Sequence, residues 1–156
     1  MLIETARLGI AARAFVSAAL LAMAACASNE SQPSAHESNE VIHELAGTRW
    51  ALQQLDGKPV QISEGGREAY LYLNSADGSV VGHAGCNRIS STYKQNGAQI
   101  SFGDVIATRM FCPDMSTETA LLQALKVAAG WRINGSQLEL LDGQQTTVAR
   151  FEARNL

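Results

Sequence analysis

The sequence lacks the motifs that would indicate most kinds of enzyme. It contains no GxSxG, no HExxH, no phosphate-binding glycine loop and no EF-hand loop. Its acidic residues are scattered, without the close pair on one strand face that glycosidases use. Cysteine and proline are scarce, with three of each, and aromatic residues make up only 6%. We therefore expect a protein that is not an enzyme and that has no cofactor and no metal.

Excess positive charge is also absent. The formal net charge is −3, and no basic stretch follows the first residues. A protein that binds nucleic acid neutralises phosphates with clustered Lys and Arg, so we expect no nucleic-acid partner. Anionic lipid likewise requires a polybasic patch. Any membrane attachment should therefore come from a lipid on the protein itself.

The hydrophobic run near the N-terminus is short. It spans residues 14–25, about 12 residues, where a transmembrane helix needs ~20. Arg7 and Arg13 precede it, and small residues stand directly before Cys26, as in a lipoprotein signal peptide. We expect residues 1–25 to be removed and Cys26 to be acylated. A plain signal peptide with an incidental cysteine, or a buried helix, is the alternative.

The segment after Cys26 is polar and acidic. Within residues 26–44 there are four glutamates, no Lys or Arg and almost no apolar side chain. Such a composition cannot bury enough surface to fold, so we expect a flexible tether. Ala27, rather than Asp, follows the cysteine, which by resemblance to enterobacterial lipoproteins favours the outer membrane. We expect an exported protein, anchored there and facing the periplasm, with one domain at residues 45–156.

Two cysteines remain in the predicted domain, Cys86 and Cys112. If Cys26 carries lipid, these two form an even pair, and an oxidising compartment would join them in a disulfide. Three alternatives stay open. They are a nucleophilic Cys86 activated by His83, a metal site that uses His83 with both cysteines, and two buried free thiols.

Turn dipeptides divide the domain into short apolar segments. Five Asn-Gly or Asp-Gly pairs occur between segments that alternate apolar and polar residues. Such pairs favour hairpin turns, because both central residues adopt positive φ. Hairpins join antiparallel neighbours, so we expect an α+β fold with a compact antiparallel sheet, a roll or partial barrel.

A single helix interrupts the strands. Asp114 or Ser116 can cap it after Pro113, and an apolar stripe through Leu121 and Leu125 has the helical period. Gly130 suits the left-handed position after the helix end. We expect one helix, near residues 116–129, packed on the sheet.

Asn87 and Arg88 follow Cys86 directly and have two interpretations. They could belong to a recognition surface, or Asn87 could stabilise a turn while Arg88 pairs with a neighbouring acid. Arg109, beside Met110, has the same two interpretations.

Three segments resemble the META domain family of HslJ-like bacterial envelope proteins. They are LAGTRWALQQLDGKPV, GHAGCNRISSTYKQNG and ATRMFCPD, and the motif positions are Gly85, Cys86, Asn87, Met110 and Cys112. The resemblance implies an antiparallel α+β domain, frequent export as a lipoprotein, and links to heat shock and novobiocin resistance. It supplies no catalytic residues.

These observations give two hypotheses for function. The first is a non-enzymatic envelope lipoprotein that acts in envelope stress or antibiotic tolerance by binding an unknown envelope protein. The second is a protein that binds a small hydrophobic ligand, for which a deep apolar pocket between sheet and helix would be needed.

Overall fold

The computed structural model describes residues 43–154. The proposed signal peptide, Cys26 and most of the proposed tether lie outside these residues. The described part of the chain forms ten strands and one helix. Their bounds are β1 Arg49–Leu55, β2 Lys58–Pro59, β3 Tyr70–Leu73, β4 Ser79–His83, β5 Arg88–Asn96, β6 Gln99–Phe102, β7 Ile106–Ala107, α1 Ser116–Val127, β8 Gly130–Asn134, β9 Gln137–Leu141 and β10 Thr147–Arg154.

All ten strands belong to one antiparallel sheet that curves into a ring. Nine strands follow the order β10-β9-β8-β6-β5-β4-β3-β1-β2, and β7 pairs with β5 beside this path. A further pairing of β10 with β1 brings the two sides of the sheet together. That pairing is long, running from Arg49↔Arg154 to Leu55↔Ala149, whereas β6 meets β8 only at Gln99↔Gly130. The predicted antiparallel α+β fold, a partial barrel, is confirmed.

The ring is filled by large side chains. Trp50 and Phe151 come from the paired strands β1 and β10, and both are fully buried. The indole Nε1–H of Trp50 donates a hydrogen bond of 2.9 Å to the carbonyl oxygen of Leu45, so the one polar atom of this side chain is satisfied. Leucines of β3 and β9 complete the same core, namely Leu71, Leu73, Leu138 and Leu140.

The turn dipeptides lie at or beside the chain reversals, but the predicted backbone conformation holds at only one of them. Asp56 and Gly57 both have positive φ, between β1 and β2. At the β5–β6 and β8–β9 hairpins, Asn96 and Asn134 are instead the last paired strand residues, and Gly97 and Gly135 begin the loops. There the glycine alone takes the left-handed conformation that other residues avoid.

The helix begins as predicted but is capped and ends differently. Its N-cap residue is Met115, without a side-chain hydrogen bond, while the Asp114 carboxylate accepts the Ser116 N–H at 2.8 Å. The expectation for Gly130 was wrong. Ala128 already has extended backbone, with φ −60° and ψ 126°, so the chain passes directly into β8, which begins at Gly130.

The apolar stripe of α1 faces the sheet as predicted. Leu121 and Leu125 are buried to 1% exposure or less, and α1 contacts β1, β6 and β10. Within residues 43–154, no helix has both the length and the hydrophobicity to cross a membrane.

Candidate functional site

The structure joins Cys86 and Cys112 in a disulfide. Their Cα atoms lie 6.0 Å apart, and the closed loop spans 26 positions. Cys86 belongs to the turn between β4 and β5, and Cys112 ends the segment that leads to α1. The bond therefore fixes that segment against the turn.

The turn has its shape because of two of its residues. Gly85 has φ +98°, which favours glycine because other side chains clash there. The N–H of Ala84 donates to the carbonyl oxygen of Asn87 at 2.8 Å, so the chain reverses within four residues. This reversal brings Cys86 and Asn87 against the segment that ends at Cys112, where Cys86 bonds to Cys112 and Asn87 contacts Met110.

Asn87 makes the four hydrogen bonds that a carboxamide can form. Its Oδ1 accepts from the Met110 N–H at 2.7 Å and from the Thr108 hydroxyl at 2.8 Å. Its Nδ2 donates to Glu118 Oε1 at 3.1 Å and to the Met110 carbonyl oxygen at 3.3 Å. Both donors and both acceptor positions are used, and the residue is only 2% exposed. Asn87 thus fixes residues 108–110 through its hydrogen bonds to Thr108 and Met110.

Glu118 completes the network from the first turn of α1. Its Oε2 accepts the backbone N–H of Asn87 at 2.9 Å, so one carboxylate binds the same residue twice. Glu118 is 6% exposed. A buried carboxylate is costly unless hydrogen bonds satisfy it, and Asn87 supplies two. The helix is therefore linked to the β4–β5 turn by a polar contact inside the core.

A cleft of about 350 Å³ opens beside the disulfide. The disulfide and Met110 form part of its walls. Two arginines, Arg67 and Arg88, and the imidazole of His83 also line it. Burial lowers the pKa of His83 below its usual 6.5, and the nearby charges of Arg67 and Arg88 act in the same direction. The charge of Glu118 acts in the opposite direction but is outweighed, so the neutral form of the imidazole is favoured.

Residues 106–111, the segment that Asn87 contacts, expose apolar side chains to solvent. Phe111 is 92% exposed and Met110 64% exposed, although both neighbours of Phe111 are held, Met110 through Asn87 and Cys112 through the disulfide. Ile106 of β7 is exposed on the same segment. We call Ile106, Met110 and Phe111 the apolar patch.

A nucleophilic Cys86 and a metal site that uses both cysteines would each need a free thiolate. Both sulfur atoms are bonded to each other, so neither is a free thiolate in this state. Nδ1 of His83 accepts the Gly85 N–H at 3.2 Å. Among residues 43–154, no three His, Cys, Asp or Glu side chains gather as metal ligands.

Leu121 and Leu125 of α1 are buried in the core, and the cleft of about 530 Å³ between α1 and the end of β6 has Asp104 and Lys126 in its lining. An open groove of about 810 Å³ lies elsewhere, beside Trp131 and Ile133 of β8 and Tyr93 of β5. Trp131 is held there by a hydrogen bond of 3.0 Å from its Nε1–H to the Gly97 carbonyl oxygen. This groove does not lie between the sheet and the helix, where the ligand-binding hypothesis would need a deep apolar pocket.

Three residues have surroundings that differ from what their sequence context indicated. Neither Glu118 nor Thr108 was predicted to contact Asn87. The ion pair suggested for Arg88 was wrong, because no carboxylate among the described residues lies within ion-pair distance of it. A polar residue on the buried side of an amphipathic helix is the signal that could have identified Glu118.

A ring of antiparallel strands, one helix packed against it and a disulfide beside a buried Asn–Glu contact define a small α+β domain. The family model for the META domain matches residues 43–155. The chain therefore belongs to the META domain family.

Two solved structures support the fold. A protein from Burkholderia xenovorans, solved by NMR, is 24% identical with a TM-score of 0.56, covering 78% of this chain and 98% of that one. A second NMR structure is 22% identical with a TM-score of 0.53, covering 67% and 87% of the two chains. No curated protein matches the chain.

Proposed function

We propose that this protein is a non-enzymatic lipoprotein of the cell envelope whose domain binds another envelope protein through the apolar patch. The role that fits best is tolerance of envelope stress or of antibiotics. The leader before Cys26 supports export and lipid attachment, and the META domain supports the envelope role by resemblance.

The exposure of Phe111 is the observation that carries the proposal. The described part of the chain has six large apolar side chains that are exposed, and three of them form the apolar patch within residues 106–111. The six are Ile62, Val81, Ile106, Met110, Phe111 and Val127. Aromatic side chains and Met are enriched at protein interfaces. Fixed flanks mean that little further ordering of the segment is needed when a partner binds, which favours affinity.

The charge beside the apolar patch indicates what the partner offers. Arg109 lies between Thr108 and Met110, is exposed, and has no ion pair among residues 43–154. Interfaces pair such rim charges with opposite charge. The partner should therefore present an apolar pocket for Phe111 with carboxylates at its rim.

Site-specific cross-linking in cells tests the proposal. A photoreactive residue at position 111 of the acylated chain should give one defined adduct, and Met110→Ser or Arg109→Glu should remove it. The same residue at exposed position 127, at the end of α1, is the matched control. Both substitutions should also lower survival under heat or novobiocin. Identical adducts at 111 and 127, or an adduct that survives both substitutions, would rule the patch out.

Lipid attachment has its own test. Labelled palmitate should enter the wild-type chain and be absent from Cys26→Ser. Equal labelling of the two chains would show that Cys26 is not the anchor, whatever the apolar patch binds.

The groove beside Trp131 favours a second function, binding of a small hydrophobic molecule. Its volume lies within the roughly 300–1,000 Å³ typical of ligand sites. Trp50 is fully buried, so a ligand in the groove should change the fluorescence of Trp131 alone. Saturable quenching by novobiocin that persists in Trp50→Phe and disappears in Trp131→Phe would support this function. Quenching that is linear in ligand concentration would contradict it.

A further inference from the structure

The cleft beside the disulfide gathers hydrogen-bond donors and no acidic side chain. We propose that it is a binding site for a small oxyanion, a molecule that carries a carboxylate or phosphate group, held by Arg67, His83 and Arg88. The proposal does not rest on the proposed function. Met110 is the one residue of the apolar patch that lines the cleft, and Arg67, His83 and Arg88 are not part of the patch.

The fold brings the three side chains to one place. His83 and Arg88 are directly opposite each other in the β4–β5 pairing, so their side chains leave the sheet on the same face. Arg67 is tied to the turn between these strands, because its N–H donates to the Gly85 carbonyl oxygen at 2.9 Å. All three residues line the cleft.

His83 is prepared to donate a hydrogen bond. Its Nδ1 is an acceptor for the Gly85 N–H, so in the neutral imidazole the proton resides on Nε2. Two guanidinium groups and one Nε2–H are all donors, and guanidinium groups match carboxylate and phosphate oxygens in a bidentate manner.

No ion pair neutralises the two guanidinium groups of the cleft. Neither Arg67 nor Arg88 has an ion pair with any residue of the described range. The carboxylate of Glu118 acts on His83, but it is hydrogen-bonded to Asn87 and does not line the cleft. The ion-paired arginines of the domain lie elsewhere, at Arg49, Arg132, Arg150 and Arg154. A cleft of about 350 Å³ is at the lower end for ligand sites, which favours a small molecule.

NMR titration of the full chain carrying Cys26→Ser, with inorganic phosphate and separately with malonate, tests the site. We expect saturable shifts at the amides of Gly85, Cys86 and Arg88 and a rise in the pKa of His83, because a bound anion favours the imidazolium. The probe that binds more tightly identifies the preferred oxyanion. Phosphate and malonate that both leave these amides unshifted would overturn the proposal.

Variants separate the site from general anion effects. Arg67→Gln and Arg88→Gln should each weaken binding about tenfold, because each removes a charged hydrogen-bond donor. Lys94→Gln removes the same charge from an exposed position on β5 outside the cleft and should leave the affinity unchanged. Dispersed spectra confirm that each variant is folded. Equal affinity in all three folded variants would show non-specific binding and refute the site.

Discussion

Asn87→Asp is the substitution that tests the buried network most directly. The two side chains have nearly the same shape, so packing is preserved. The change removes both Nδ2 hydrogens. It puts a carboxylate oxygen in the place of Nδ2, which lies 3.1 Å from Glu118 Oε1. Two like charges at that distance cannot both remain ionised without a large cost.

The expected loss of stability follows from the lost contacts. The hydrogen bond to Glu118 involves a charged group and is worth about 1.5–3 kcal/mol, and the bond to the Met110 carbonyl about 1 kcal/mol more. Repulsion between the carboxylates adds to both. We expect Asn87→Asp to lower the free energy of unfolding by about 3–5 kcal/mol near neutral pH, a large part of the 5–15 kcal/mol typical of domains.

Urea unfolding measures this loss, with two controls. Asn96→Asp makes the same chemical change at an exposed position at the end of β5 and should cost no more than about 0.5 kcal/mol. Adding Glu118→Gln to Asn87→Asp should restore part of the stability, because the new amide can donate to the new carboxylate.

The double variant also tests whether Asn87 and Glu118 are in contact in solution. If the two side chains interact, their effects are strongly non-additive. Effects of Asn87→Asp and Glu118→Gln that simply add, or an Asn87→Asp chain as stable as Asn96→Asp, would show that the contact is absent in solution.

Three further predictions concern stability. Cys112→Ser should lower the free energy of unfolding by about 3–4 kcal/mol, and a wild-type urea curve unaffected by reductant would contradict this. Leu125→Ala should cost about 2–5 kcal/mol in the same assay, and an unchanged midpoint would show that the stripe faces solvent. Burial raises the pKa of Glu139, but hydrogen bonds from Arg150 and Arg132 outweigh it and hold the pKa below 4.5. The resulting stability is present above the unfolded pKa and lost as pH falls through the folded one, so Glu139→Gln should flatten only the acid limb of the stability curve.

Local patterns in the sequence were sufficient for the elements themselves. Alternation and turn dipeptides predicted antiparallel hairpins, and the period of Leu121 and Leu125 predicted the helix and its buried face. These signals act over a few residues, so they can be read without knowing the fold. The same rule explains the error at Gly130, since a glycine after a helix is compatible with either a left-handed cap or an immediate strand.

Contacts between distant residues were not predictable in this way. Asn87 and Glu118 are 31 positions apart, and neither residue type indicates the other. The pairing of β1 with β10, which brings the two sides of the sheet together, likewise joins the two ends of the domain. The disulfide is the exception, because counting cysteines leaves few partners for Cys86, whereas the chain contains many polar residues that could have faced Asn87.

The disulfide and the buried network act on the same short segment from opposite sides of Phe111. Asn87 holds Met110 through two backbone hydrogen bonds, and Cys86 holds Cys112 covalently. The two restraints start from adjacent residues of one turn, so Phe111 is held at both flanks against a single rigid base. A core residue needs no such arrangement, since packing alone positions it. An exposed aromatic side chain makes few contacts of its own, and its position depends on the backbone beneath it. The adjacent residues Cys86 and Asn87 therefore fix the backbone from which Phe111 projects, which is what the proposed binding of a partner through Phe111 would require.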